Sequence, residues 1–387
     1  MALDRYWFRL LLVHAFLVQA LTILLRVGAV YQAVAIEVGT LWIGIIGGAF
    51  GVLPAILGLH LGRYIDRFGE KPALVWGSIA ILASSLCLAL FPASLATLLT
   101  GSIIMGAGQF LGVASQQSAA SKAGGSARAE NFGRLTLAIA AAQAVGPLGV
   151  SLFAGGNLLP DTKGIFAAST GVSAVCVLCA LLIRLPPHAA AKEAQSILDT
   201  AKRLVRTSGF QLATFASLVI FSAMDLLVIY LPLYGSEHRI GAGTIGVLLA
   251  TRAAASIISR FFFGWMLAIT GRNRLLILSL CVSGIAIGFL TLTKTPLVMG
   301  MMLFIAGLGL GIGAPLTLAW LADIVPAQIR GSAFSLRLAV NRVGQAVIPI
   351  AAGFIVGPLG LAGVLLAVSG SLLLSAAVSS RRLAQKI

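Results

Sequence analysis

Gly62-Arg63-Tyr64-Ile65-Asp66-Arg67-Phe68-Gly69-Glu70-Lys71-Pro72 puts five charged side chains into a chain of 387 residues that is 59% hydrophobic and only 10% charged. An ordinary soluble domain is about 25% charged. That gap excludes a water-soluble globular protein. On either side of the stretch lie apolar runs at 40 to 61 and 73 to 91, each close to the roughly 20 residues a helix needs to cross about 30 Å of hydrocarbon. The stretch therefore reads as a short polar turn between two membrane crossings. Gly62 and Gly69 allow a tight turn and close backbone approach. Asp66 and Arg67 can cap or bridge neighbouring helix ends.

Working outward, ten more runs of the same kind appear, at 8 to 30, 95 to 120, 135 to 156, 165 to 185, 210 to 234, 241 to 263, 274 to 293, 296 to 321, 333 to 356 and 359 to 379. None alternates with period two, so they predict helices rather than strands of a barrel. The first run carries His14, Gln19 and Arg26, is too long for a signal-peptide core and lacks a small-residue cleavage site, so it is read as a retained span. Cys87, Cys176, Cys179 and Cys281 all lie in apolar runs. Neither a disulfide framework nor a zinc site is indicated.

The chain carries 27 Lys and Arg against 11 Asp and Glu, a formal charge of +16. With the N-terminus inside, twenty of the 27 fall in cytoplasmic segments, and only Lys163, Arg239 and Lys294 fall outside. That asymmetry is the positive-inside rule, so topology accounts for the basic excess without nucleic acid. Both termini are expected in the cytoplasm of a bacterial inner membrane. The remaining four, Arg26, Arg252, Arg337 and Arg342, sit within spans.

Between the sixth and seventh spans, Pro186 and Pro187 stop the helix, and Ala189 to Ser208 is polar, basic and weakly amphipathic. Three segments are expected: a six-helix bundle over 1–185, a cytoplasmic linker with a surface helix over 186–208, and a second six-helix bundle over 209–387. The halves repeat each other at a shift of 202 residues. Ile43-Gly44-Ile45 lands on Ile245-Gly246-Val247, Gly62 and Gly69 on Gly264 and Gly271, and Arg128 with Phe132 on Arg330 with Phe334. Gln143-Ala144-Val145-x-Pro147 lands on Gln345-Ala346-Val347-x-Pro349. One register serving four separated matches marks a duplicated transporter.

With these residues in view, the chain resembles the major facilitator superfamily. Gly62 to Pro72 is similar to the family's signature between helices 2 and 3, and Gly264 to Arg274 is its degenerate copy between helices 8 and 9. The resemblance covers the whole chain and implies a secondary transporter working by alternating access. It implies that Asp66 and Arg67 latch the cytoplasmic side while the outside is open. In the second copy Ala268 and Ile269 replace them, so the latch is expected to be asymmetric. The fourth helix has Ser102 where many proton-driven members carry arginine. The fifth helix keeps Gly146-Pro147 of the antiporter motif but not its flank. Export by antiport is the expectation on that basis, with uptake as the alternative.

An ionisable side chain at membrane depth is costly, so by default it lines a wet cavity or meets a partner. Gln19, Thr22 and Arg26 form one stripe of the first span, and Ser222 and Asp225 share a face of the seventh. Arg252 lies on a face with Ser256 and Ser259, and Arg337, Asn341 and Gln345 share a stripe with Arg342 turned aside. Four arginines against one aspartate should attract an oxyanion. Arg26, Arg252 and Arg342, with Gln19, Asn341 and Tyr230, are the expected binders of an anionic or zwitterionic organic solute. Desolvation favours a neutral Asp225 and an adjacent guanidinium a charged one, so Asp225 is the expected proton-coupling residue. The competing reading has Arg26 and Arg337 snorkelling to the two surfaces, with Arg342 held by internal hydrogen bonds.

Gly62, Asp66, Arg67, Gly69, Gly146 and Pro147 are the expected gating residues. His14 reads as a packed or interfacial histidine, and Tyr31, Tyr230, Tyr234 and Trp42 as interface anchors. The glycine series in the fourth and tenth spans follow no strand and carry no phosphate-binding lysine, so no ATP-driven pump is expected. Four scattered histidines supply no enzyme site. Neither a cofactor nor a metal is expected. The partners are a small solute, protons and the lipid bilayer, around a monomer. A multidrug/proton antiporter for cationic or neutral lipophiles is the rival function, and it would want more acidic residues than Asp225.

Overall fold

The computed structural model describes residues 3–121, 125–185, 197–207, 209–325 and 330–384. Among them every regular element is a helix, as expected where only helices and closed barrels can satisfy backbone polar groups in lipid. The first half holds α1 (Leu3–Ala35), α2 (Thr40–Phe68), α3 (Glu70–Leu90), α4 (Leu95–Ser121), α5 (Gly125–Leu152) and α6 (Thr162–Leu182). A short helix, α7 (Ile197–Arg206), follows; the rest of the expected linker, 186–196 and 208, lies outside the described residues. The second half holds α8 (Phe210–Glu237), α9 (Ala242–Phe261), α10 (Phe263–Thr270), α11 (Arg272–Phe289), α12 (Pro296–Ile324) and α13 (Arg330–Ala384).

The last two expected spans are joined in α13, whose apolar stretch Ala333–Arg381 is 49 residues long. At about 1.5 Å per residue that is more than twice the hydrocarbon thickness. Gly360, at φ 65° and ψ −177°, breaks the helix there, and beyond it Ser369 donates to the Gly284 carbonyl of α11 at 2.6 Å. The described residues thus hold twelve apolar helical segments long enough to cross a membrane.

The opening charged stretch makes the turn its glycines predict. Gly69 ends α2 and opens α3 at φ 86°, ψ 171°, and Gly271, 202 residues on, repeats the turn at φ 74°, ψ 155°. Just after the first turn, Lys71 Nζ donates to the carbonyls of Ala180, Leu181 and Ile183, each at 2.6 Å. A cation thereby takes up the orphan carbonyls that end α6. Replacing Lys71→Met is expected to lower stability by about 1–2 kcal/mol, discounted for partial exposure. Thermal unfolding in detergent checks this, and an unchanged midpoint would mean that water caps α6 equally well.

The halves meet along two seams, α2 against α13 and α5 against α9. A Cβ on Gly44 would stand 2.5 Å from the Pro349 carbonyl oxygen, and one on Gly246 would stand 2.6 Å from that of Pro147. Gly44 and Gly246 are copies of each other, as are Pro147 and Pro349. The seams are therefore the same contact made twice about a pseudo-two-fold axis. Ser151 Oγ donates to Gly243 O at 2.8 Å, and Ala242 N donates to Asn157 O at 3.1 Å.

All these contacts lie at one end of the bundle, the end bearing Thr40, Asn157 and Ala242, here termed upper. One continuous apolar core runs through both halves, and in the second half it reaches Leu275 and Trp320 near the lower end. Toward the lower end, which bears Gly69 and Gly271, Phe8, Leu11, Leu74, Leu135 and Ile183 belong to a cluster built from first-half residues alone. A Cβ on Gly62, Gly133 or Gly264 would meet nothing within 4 Å.

Candidate functional site

Under the upper seal, α1, α4, α8, α9 and α13 bring their polar side chains into one buried layer. Arg26 Nη1 of α1 donates to Asp225 Oδ1 of α8 at 2.8 Å, an ion pair across the halves with both residues 9% exposed. The Arg26 guanidinium carbon lies 4.4 Å from the centroid of the Phe50 ring, close enough for cation–π attraction. Arg342 of α13 makes the second bridge between halves, donating through Nη2 to Gln109 Oε1 of α4 at 3.3 Å and through Nη1 to Gln345 Oε1 at 2.8 Å. Gln109 Nε2 in turn approaches Gln19 Oε1 at 3.5 Å. Phe110 lies under the Arg342 guanidinium, 5.4 Å from carbon to centroid.

Asp225 also stands within electrostatic reach of Arg252 and Arg342. Of the three guanidiniums in the layer, only that of Arg26 touches the carboxylate. The pairing is incomplete: Nε and Nη2 of Arg26, Oδ2 of Asp225, and Nε of both Arg252 and Arg342 are buried without a hydrogen-bond partner. Buried polar groups are nearly always satisfied, so a cluster of exceptions calls for a ligand or water. The layer is covered rather than open. Two surface recesses, about 390 Å³ beside Lys71 and about 590 Å³ between α9 and α12, are lined by none of its residues.

The remaining expected residues fall elsewhere. Asn341 donates to Ser217 Oγ at 3.0 Å in a second network, where Arg337 Nη1 donates to Ser217 Oγ at 2.8 Å and Thr317 Oγ1 at 3.3 Å. Arg337 is 7% exposed and does not snorkel to a surface; the hydroxyls and the Phe221 ring give it partners inside. Tyr230 lies in the upper seam, with its hydroxyl donated to Pro349 O at 2.8 Å. Tyr31, Tyr230 and Tyr234 are at most 2% exposed, which corrects their reading as interface anchors, whereas Trp42 is 43% exposed. The three tyrosines sit on helix faces turned toward other helices rather than toward lipid. His14 is fully buried in the first half, contacting Ser78 Oγ at 2.8 Å and Gln116 Nε2 at 2.9 Å.

Gln109, Phe50, Phe110 and Ser217 escaped the sequence reading. Gln109 left a signal, as the sole amide between 95 and 115. The two phenylalanines left none, being apolar residues in apolar spans.

The model of the Major Facilitator Superfamily matches residues 10–243 and again 235–384, spanning the duplicated halves. The chain belongs to the major facilitator superfamily. It is a multi-pass membrane protein of this family of secondary transporters. Superfamily members of known structure share its fold at low identity. The nucleoside transporter NupG aligns with TM-score 0.79 at 14% identity, over 97% of this chain and 98% of its own. A D-xylose-proton symporter aligns with TM-score 0.79 at 15% identity, over 97% of each chain. A bacterial homologue of the human lysosomal transporter Spinster, inward-facing and unoccupied, aligns with TM-score 0.78 at 16% identity, again over 97% of each. No curated protein matches the sequence.

Of the residues expected to gate, Gly69 forms the turn described above and Gly62 lies in open space at the lower end. Arg67 is exposed, its guanidinium carbon 5.1 Å from the Phe68 ring centroid, and it makes no ion pair among the described residues. The side chain of Asp66 lies outside the described residues. Gly146 packs α5 onto α1, with a Cβ there 3.1 Å from Ala20 O, and Pro147 belongs to the seam with Gly246.

Proposed function

We propose that this transporter moves a small organic anion, bound in the layer formed by Arg26, Arg252, Arg342 and Asp225. The observation that carries this reading is the set of buried, unpartnered donors on three arginines around a single carboxylate. An arginine fork suits carboxylate or phosphate, and a buried guanidinium without a counter-charge costs several kcal/mol, which an arriving anion offsets. A cation would meet net positive charge and gain only Asp225 Oδ2.

Alternating access follows from the two seams. The distribution of basic residues supports placing the lower end at the cytoplasm, with the upper seams, the closed contacts described above, facing outward. On rocking to the other state the upper end parts and Arg26 leaves Asp225, whose next neighbours are Arg252 and Arg342 within its own half. That exchange of partners, with a stage at which Asp225 lacks its cross-half cation, supports proton uptake and release during the cycle. The Gly146-Pro147 pair supports exchange in the export direction.

Transport by protein reconstituted in liposomes tests the reading. Organic anions are expected to compete with one another for uptake and exchange, and lipophilic organic cations to leave the flux unchanged. Competition by cations with anions inert would overturn it in favour of a multidrug exporter.

A further inference from the structure

The charges of the buried layer can be balanced, and the balance selects among anions. Arg26, Arg252 and Arg342 bring three positive charges, and Asp225 returns one negative. Asp225 spends its charge on Arg26 in this state, through the single 2.8 Å contact. In this state, with Asp225 ionised against Arg26, two guanidinium charges stay unmatched, because no other carboxylate ion-pairs with these arginines among the described residues. Arg260, in the last turn of α9, and Arg337, near the start of α13 and with its own Nε buried and unpartnered, lie toward the lower end, outside the layer. Arg260 Nε donates to the Gly311 carbonyl at 3.2 Å, and Arg337 to the hydroxyls of Ser217 and Thr317. Arg252 and Arg342 are only 4% and 7% exposed, and each has a buried Nε with no partner.

A monoanion leaves one buried positive charge without compensation, and a zwitterion leaves both. A solute with two negative charges neutralises the layer. Building on the organic-anion reading above, we infer that the transported solute is a dianion, with Arg252 and Arg342 as the residues that set this preference. A dicarboxylate can place one carboxylate at each arginine. A phosphate monoester can offer both charges from one group. Uncompensated charge is most costly where water is excluded, so the discrimination belongs to the covered layer.

The test uses the full-length protein purified in detergent, with thermal stabilisation read against ligand concentration at fixed ionic strength in sodium chloride. Malonate, succinate, glutarate and adipate are compared with butyrate and hexanoate, and glycerol 3-phosphate provides a dianion carried on one group. The best dianion is expected to half-saturate at a concentration at least tenfold below that of the best monocarboxylate. In R252Q or R342Q that ratio should fall to within about threefold. R252K, which keeps the charge, should preserve it and guards against misreading a folding defect. Equal half-saturation by mono- and dianions in the unaltered protein would overturn the inference while the organic-anion reading stands. Stabilisation by no anion at all would remove both.

Discussion

Asp225→Asn is expected to reduce proton-driven accumulation of solute to background, a loss of about 100-fold or more, while exchange of labelled for unlabelled solute continues. The substitution keeps the shape of the side chain and removes the only titratable carboxylate in the layer. Exchange needs only a binding site and a rocking motion, whereas accumulation needs a proton moved in fixed ratio with the solute. The variant also leaves Arg26 buried without the counter-charge of its 2.8 Å partner. Removing one member of a buried ion pair costs about 3–5 kcal/mol, so a folding defect must be separated from a coupling defect. The double variant R26Q/D225N removes both charges and should regain much of the thermal stability without regaining accumulation. Stably folded D225N protein that still concentrates solute against a gradient would show that coupling resides elsewhere.

Gly44→Val is expected to cut transport by about 10- to 100-fold through a different route, by keeping the upper seam from closing. At Gly44 a Cβ would stand 2.5 Å from Pro349 O and 2.8 Å from the Tyr230 hydroxyl, with Gly353 Cα at 3.1 Å. Two of these obstacles are backbone atoms and cannot swing aside. The seam must part or the helices must shift, and overpacking of this kind costs about 1–3 kcal/mol. Acting on a two-state equilibrium, such a cost shifts the populations by roughly 5- to 150-fold. Gly246→Val should behave alike, because its Cβ would stand 2.6 Å from Pro147 O and 2.7 Å from Ser151 Oγ. Gly39→Ala is the control: its φ is −58° and an added Cβ meets nothing within 4 Å. Transport rates together with the accessibility of a cysteine introduced at the upper end check this. A Gly44→Val protein with ordinary transport would mean that α2 and α13 never close this tightly during the cycle.

The repeat at a shift of 202 gains a physical reason from these seams. Gly44 with Pro349 and Gly246 with Pro147 are two instances of one contact, so each copy of the glycine needs the proline of the other half. The repetition of Gly69 as Gly271 has a local reason instead, since both hold the same left-handed turn. In the sequence the two kinds of match look alike, because only the spacing is visible there.

The sequence by itself determined the crossings, the duplication, the family and the identity of the buried charges. These follow from hydropathy, spacing and turn chemistry, which act along the chain. Only the tertiary structure decided which charges meet. Arg26 and Asp225 are 199 positions apart and Arg342 and Gln109 are 233 apart. The face a residue occupies on its own helix does not fix how that helix is rotated against a distant one. The same indeterminacy explains the tyrosines and Arg337. Depth in the membrane can be read from position in a span, but whether a side chain faces lipid or another helix is set by packing between helices remote in sequence, and that packing buried them.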